Sequence, residues 1–334
     1  MRLKNRLFIL ILYFFVLYNA DMELRQITVN DIPESSHSLF QSRAYLALFS
    51  RMFSKPGNIL ILGVYENDHL VAILPFEKLG SSLIFLGMQK ILGGQEITDY
   101  GDILTISPFD YKTVWDGVFA FAKDHSATSI VLDYVREDSQ TYGHFAHFHN
   151  ALISQQEVAP FISLPSTWDQ YLEKLDRVNR KELKRKMKRL DSVSTSFTVY
   201  PAKSEEAFQD FITLHRKSSN DKHQFMSGPM EQFFIALSRI TIPSWNSFIA
   251  LLKIEEKPAA AVFFFEDATR TYLYNSGFDP GFKFYSAGLM LHALLIKRGI
   301  ETHKKLHDFL RGTERYKYDL GAHNMNLYKI NISL

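Results

Sequence analysis

Residues 271–317 read TYLYNSGFDPGFKFYSAGLMLHALLIKRGIETHKKLHDFLRGTERYK. From Thr271 the residues alternate in an aromatic-rich run, as a strand does, and the run ends in Asn275-Ser276-Gly277. A Gly/Pro turn follows, and Ser286-Ala287-Gly288 opens an amphipathic helix over 287–302 whose apolar content comes from Leu289, Leu291, Leu294, Leu295 and Ile296. A second strand over 306–310 is expected to deliver Arg311, Gly312, Glu314, Tyr316 and Lys317 close together. The first N–H groups of a helix have no intrahelical acceptor and carry the positive end of its dipole. Strand, loop and helix N-terminus is therefore a way to cradle phosphate. The next strand can then present charged groups to whatever the phosphate carries, which predicts a transferase with a phosphate-bearing donor.

The same pattern occurs earlier in the chain. Residues 59–87, ILILGVYENDHLVAILPFEKLGSSLIFLG, echo residues 247–277, SFIALLKIEEKPAAAVFFFEDATRTYLYNSG. Glu66 corresponds to Glu255, Ala72 to Ala261 and Glu77 to Glu266 without a gap, and Gly87 to Gly277 after one inserted residue. Each copy is a three-stranded meander. A helix and a strand follow each copy, at 114–125 and 129–135 in the first and at 287–302 and 306–310 in the second. Helices precede them, over 32–53 in the first half and over 204–219 and 230–240 in the second. The last strand of each half should join its meander in parallel after the helical crossover. The fold class is α+β, with two tandem domains, each a mixed, mostly antiparallel sheet flanked by helices.

The 334 residues suffice for two domains, each with its own core. Lys plus Arg is 38 against 36 for Asp plus Glu, so the net charge of +2 excludes a global field for nucleic acid or membrane. The absence of cysteine excludes disulfides, thiolate metal sites and cysteine nucleophiles. No spacing of His, Asp and Glu suggests a metal site, and there is no P-loop or nucleophile elbow. Residues 1–21 stand apart: Arg2, Lys4 and Arg6 precede an apolar run from Leu7 to Tyr18, shorter than the roughly 17 residues a bilayer span needs. It is a signal-like segment, a peripheral membrane tether, or a start placed upstream of the true one at Met22. A cytoplasmic protein is the expectation.

Between the halves, RVNRKELKRKMKRL packs eight basic residues into 177–190 above a thin stripe of Leu183, Met187 and Leu190. This predicts a surface helix. It is either an anion-binding face or a solvated connection between domains. The domains expected are 22–160 and 196–334, with a basic helical linker over 161–195.

Taken together, these features resemble the GNAT acyltransferase superfamily, in its double-domain branch of Fem-type aminoacyl transferases and cellulose-biosynthesis-type acetyltransferases. The resemblance is strongest from Phe161 to Lys317. It rests on Leu164, Pro165, Trp168, Tyr171 and Leu172; the basic helix; Tyr274, Gly277, Phe278, Asp279 and Pro280; Ser286 and Gly288; and Phe309, Arg311, Gly312, Glu314, Tyr316 and Lys317. In the first half it rests on topology and on Thr98-Asp99-Tyr100-Gly101-Asp102. The resemblance implies an acyl-CoA co-substrate, acetyl-CoA foremost, and no metal. Tyr274, Asn275, Ser276 and Gly277 would flank its pantetheine and thioester. Its pyrophosphate would sit on the N–H groups of Ala287, Gly288 and Leu289, next to Ser286. The usual Arg/Gln-x-x-Gly-x-Gly/Ala signature of the superfamily is missing from this turn.

Transfer needs a base for the acceptor and donors for the developing oxyanion. The catalytic candidates are Glu314, Lys317, Asp99 and His215, and the substrate-binding candidates Tyr100, Asp102, Arg311 and Tyr316. Each has a plainer role open to it: Glu314 can pair with Arg311 or Lys317, and Asp99 and Asp102 can be turn residues. The acceptor expected is a small molecule or sugar, including cell-envelope precursors. Nucleic acid enters only in a tRNA-dependent alternative, and a silent scaffold retaining the fold is the other.

Overall fold

The computed structural model describes residues 17–18, 22–34, 38–148 and 150–334. The apolar run 7–18 lies outside them except for Leu17–Tyr18, and among the described residues no helix is long and apolar enough to cross a membrane.

The strands are β1 (Leu17–Tyr18), β2 (Met22–Ile27), β3 (Ile59–Glu66), β4 (His69–Leu79), β5 (Ser82–Phe85), β6 (Leu104–Thr105), β7 (Ser129–Arg136), β8 (Ala151–Ser163), β9 (Thr195–Pro201), β10 (Asn246–Ile254), β11 (Lys257–Glu266), β12 (Arg270–Phe278), β13 (Leu306–Asp308) and β14 (His323–Ser333). The helices are α1 (Arg43–Phe53), α2 (Tyr111–Asp124), α3 (Gln140–Phe145), α4 (Trp168–Lys174), α5 (Arg177–Leu190), α6 (Glu205–Ser218), α7 (Asn220–Phe225), α8 (Pro229–Arg239), α9 (Ala287–Glu301) and α10 (Arg315–Asp319).

The α+β expectation holds, and the internal echo is physical. The hairpins β3–β4 and β10–β11 turn on Asn67-Asp68 and Glu255-Glu256, all four at positive φ between 49° and 62°. That is the backbone a two-residue hairpin loop demands, and Glu is an uncommon choice for it. Each hairpin also carries a register shift close to its turn. In each half the last strand joins in parallel, β7 beside β5 and β13 beside β12, after the crossovers α2 and α9.

The two halves share one 14-stranded sheet, in the order β1-β2-β3-β4-β5-β7-β14-β8-β13-β12-β11-β10-β9, with β6 off this path against β4. The C-terminal strand β14 inserts between β7 and β8, and β8 closes the second half's sheet against β13. Neither 160 nor 196 is therefore a break in the sheet. The first helix starts later than the pattern suggests, at Arg43, where the Ser42 side chain accepts the Tyr45 N–H and so caps the helix. The basic segment breaks into α4 and α5 at Asp176, whose carboxylate caps Val178 and Asn179.

β11 is buried on both faces, and from Ala260 to Phe265 its side chains alternate between two cores. Ala261, Phe263 and Phe265 join the core that also holds α6 and α8, whereas Ala260, Val262 and Phe264 join the core under α9. Phe211, Phe233, Phe234 and Phe263 are essentially inaccessible, each contributing about 1.5–3 kcal/mol on burial. The halves meet through aromatic packing: Tyr45 of α1 lies edge-on to Phe233 of α8 at 6.1 Å.

Candidate active site

β12 and β13 pair only at Arg270–Tyr272 with Leu306–Asp308, and then they part. β12 continues along β11 to Phe278, with Tyr274 bulged out between the pairs Phe264–Leu273 and Phe263–Asn275. A bulge bends its strand and re-aims the side chains beside it. The chain after β13 turns toward β8, where Phe309 N donates to Pro160 O at 2.9 Å and Gly312 N to Val158 O at 3.3 Å. Leu310 (φ 55°) and Gly312 (φ 108°) make that turn in the left-handed region. The expected strand 306–310 thus ends at Asp308. Arg311 and Gly312 lie on the turn, Glu314 holds the N-cap position of α10 without a side-chain capping bond, and Tyr316 and Lys317 lie on α10.

Two cavities occupy the resulting wedge. One, of about 410 Å³, is lined by Gly277, Phe278, Ser286, Ala287, Gly288 and Leu289 together with Lys186, Lys222 and Lys283. The other, of about 350 Å³, is lined by Asp99, His215, Tyr274, Asn275, Arg311 and Lys317 among others. Four residues line both: Lys222, Ser276, Glu314 and Tyr316.

At the end of the first cavity, α9 begins on Ser286, itself in the left-handed region (φ 55°, ψ 41°), with no side chain capping the helix. The N–H groups of Ala287, Gly288 and Leu289 have no acceptor outside the helix among the described residues. A Cβ at Gly288 would meet the Phe278 ring at 3.3 Å, so glycine is what keeps this floor low. Gly277 has a different reason. A Cβ there would lie 2.2 Å from His215 N and 2.3 Å from its Cα, so β12 lies directly on the α6 backbone.

The second cavity's charged wall is organised around Arg311. Its Nε donates to Asp99 Oδ1 at 3.0 Å, and its Nη1 lies 3.3 Å from Glu96 and 3.4 Å from Glu157. Its guanidinium sits 3.8 Å from the centre of the Tyr134 ring. Arg311 and Asp99 therefore tie the two halves together at the rim. Tyr274 does the same, its hydroxyl donating to Ile97 O at 2.9 Å. Lys317 is buried and commits its ammonium to Arg311 O (2.7 Å), Gly312 O (3.1 Å) and Glu314 (2.9 Å), which clamps the turn. Glu314 is more than half exposed and otherwise faces the cavities. Tyr316 stacks on His292 at 4.6 Å, and burial holds its hydroxyl well above the usual phenol range. His215 is buried with Nδ1 unpartnered among the described residues. Burial first, then the charge of Lys222, pushes it down to about 3, so it is a neutral ring and a weak base.

Two expected site residues lie elsewhere. Tyr100 and Asp102 line a third cavity of about 320 Å³, with Arg136 and Arg270. Tyr100 donates to both oxygens of Asp308, at 2.8 and 2.9 Å. Asp102 accepts from Thr141 Oγ1 at 2.6 Å, and burial raises its pKa. The alternation of an extended segment explains the separation, because Asp99 points one way and Tyr100 and Asp102 the other. Conversely, sequence reasoning missed Lys222, whose Nζ donates to Ser276 O at 2.6 Å where the two cavities join. It is a single lysine just after an apparent helix stop, and neither periodicity nor motif marks it.

Residues 177–318 match the family model described as an acetyltransferase (GNAT) domain. No curated protein matches the sequence. Among solved structures the fold is similar to that of FemX, at 10% identity and a TM-score of 0.61, covering 93% of this chain and 97% of that one. It is similar to the C-terminal domain of a protein assigned as a lysylphosphatidylglycerol synthetase from Agrobacterium fabrum (11% identity, TM-score 0.56, 86% and 90% covered). It is also similar to a tandem GNAT protein from the clavulanic acid biosynthesis pathway (10%, 0.51, 94% and 98%). Residues 177–318 thus match a GNAT acetyltransferase domain, and the fold of the whole chain is similar to that of double-domain proteins such as the tandem GNAT protein.

Proposed function

We propose that the protein transfers an acyl group, most simply acetyl, from acyl-CoA to an amine or hydroxyl of a small molecule, sugar or cell-envelope precursor. One observation carries the reading: an uncapped helix N-terminus opens onto a cavity that continues into a second one at the seam of the two halves. The donor's diphosphate lies on the N–H groups of Ala287, Gly288 and Leu289, where the helix dipole favours negative charge. Lys186 and Lys283 line the same end and add to that field. The pantetheine runs past Gly277 and Ser276, and the acceptor occupies the cavity bounded by Asp99, Tyr274 and Arg311. Glu314 takes the acceptor's proton. Lys317, Arg311, Asp99 and Tyr274 hold the walls, with their polar groups already paired.

A second reading, an aminoacyl-tRNA donor, draws on α5. Lys181, Lys184 and Lys188 are exposed and carry no ion pair among the described residues, and Lys186 of the same helix reaches the donor cavity.

Thermal unfolding with acetyl-CoA, desulfo-CoA or tRNA separates these readings. A ligand at about a hundred times its Kd adds about 2.7 kcal/mol to the folded state. The expected result is a raised Tm with both CoA compounds. A rise with tRNA alone favours the second reading, and no rise with any of the three overturns the transferase assignment of this site.

A further inference from the structure

The transfer needs a proton for the departing sulfur as well as a base for the acceptor, and the junction of the two cavities holds one group suited to give it. A donor lying in one cavity and reacting with a molecule in the other must place its reacting bond between Lys222, Ser276, Glu314 and Tyr316. Lys317, nearby, has spent its three N–H donors on Arg311 O, Gly312 O and Glu314. Tyr316 is packed flat against His292. Lys222 uses one donor, on Ser276 O, and among the described residues no other acceptor engages it. That bond holds the ammonium beside the β12 backbone along which the thioester is proposed to lie.

Resting on the acyl-CoA reading, we propose that Lys222 protonates the thiolate released by acyl transfer. The acceptor nitrogen or oxygen bonds to the acyl carbon as the C–S bond breaks, and that electron pair stays on sulfur. A proton passes from Lys222 Nζ to sulfur, giving free CoA. The acceptor's own proton goes to Glu314, and exchange with water restores both residues.

The surroundings favour the donation. Burial, opposed by Glu314 and assisted by Lys317, lowers the lysine's pKa and makes its proton easier to lose. The other titratable groups facing it are His215 and His292, both held neutral by burial, with Tyr316 and the neighbouring Asp221.

The test uses CoA itself as the probe, so it needs no knowledge of the acceptor. The thiol of bound CoA is titrated by thiolate ultraviolet absorbance in the wild type, Lys222→Met and Lys222→Arg, with binding followed separately by calorimetry. The bound thiol should titrate below free CoA in the wild type. Loss of the neighbouring cation in Lys222→Met should raise it by about one unit, roughly tenfold less thiolate at a given pH. Lys222→Arg, which keeps the charge, should retain the wild-type value. If the methionine variant does not fold, Lys222→Gln replaces it and keeps a donor for Ser276 O. Wild type and variant that bind CoA and titrate alike overturn the role of Lys222 alone. A wild type that binds no CoA overturns the acyl-CoA reading and this proposal with it.

Discussion

The two halves build the same wedge and treat it in opposite ways. In the second half β12 and β13 part after three paired positions and leave a cavity between them. In the first half β5 and β7 also pair at three positions, Ser82–Ile84 with Ser129–Val131, but the segment around Gly101 fills the gap beyond. Gly101 N donates to Tyr134 O at 3.3 Å, and a Cβ on Gly101 would lie 2.4 Å from Asp133 O. The crossover helices differ in the same sense. The N-cap Asp110 of α2 accepts from Lys112 N and Thr113 N, whereas Ser286 leaves the N–H groups of α9 open. One half has satisfied internally the donors that the other leaves open. Repetition of a fold therefore does not by itself repeat the state of its helix starts, because one capping side chain changes which backbone N–H groups remain open.

The largest expected difference between the halves is in acid. His215, His292 and His307 are buried and neutral in the second half, with His215 and His307 pushed down to about 3 and His292 well below its usual value. Each would take a proton near pH 6.5 once unfolded. The unfolded state therefore binds more protons between pH 6.5 and 3, and stability complete above that window is lost as pH falls through it. Each histidine costs about 1.4 kcal/mol per pH unit there. In the first half, His144 is shifted in the same direction. Hydrogen exchange at pH 7.5 and at pH 5 should show amides of α6, α9 and β13 losing protection first, and uniform loss across both halves would break the asymmetry.

Next in size is Gly277→Ala, which drives a Cβ into the α6 backbone and should cost about 3 kcal/mol in urea unfolding. Its counterpart Gly87→Ala meets only Thr98 Oγ1, at 3.1 Å, and pays mainly for a φ of 98°, about 1 kcal/mol. Equal losses would mean that the two glycines serve the same purpose. For binding, Gly288→Val should weaken acetyl-CoA by roughly 10–100-fold, or about 1.4–2.8 kcal/mol, as read by calorimetry. Asp110→Ala at the matching helix should cost about 1 kcal/mol of stability and leave acetyl-CoA affinity unchanged. A change in affinity there would show that the first half still takes part in donor binding.

Much of this was legible in the chain. Alternation along 59–87 and 247–277 specifies two meanders because a strand with a buried face repeats every second residue. The run from Ser286 into an apolar helix marks α9 to within a residue. Strand β14 was not legible as the insert between β7 and β8, nor β8 as its partner across the seam. HNMNLYKINIS and ALISQQEVAPFIS carry too little apolar pattern to name partners, which lie more than a hundred positions away in sequence for each other. The site divides similarly. Glu314, Lys317, Arg311 and Asp99 meet at one wall, but which of their charges were already consumed depended on distances that a sequence does not contain.

The sequence by itself determined the local elements, their duplication and the helix start at Ser286, because periodicity and turn residues act over a few neighbouring positions. The tertiary structure alone decided that one wedge is filled and the other open, that Tyr100 and Asp102 face away from Asp99, and that Lys222 stands where the cavities meet. Those outcomes follow from which buried donors and charges find partners across the seam. Such pairing is a property of packed space and has no signature in chain order.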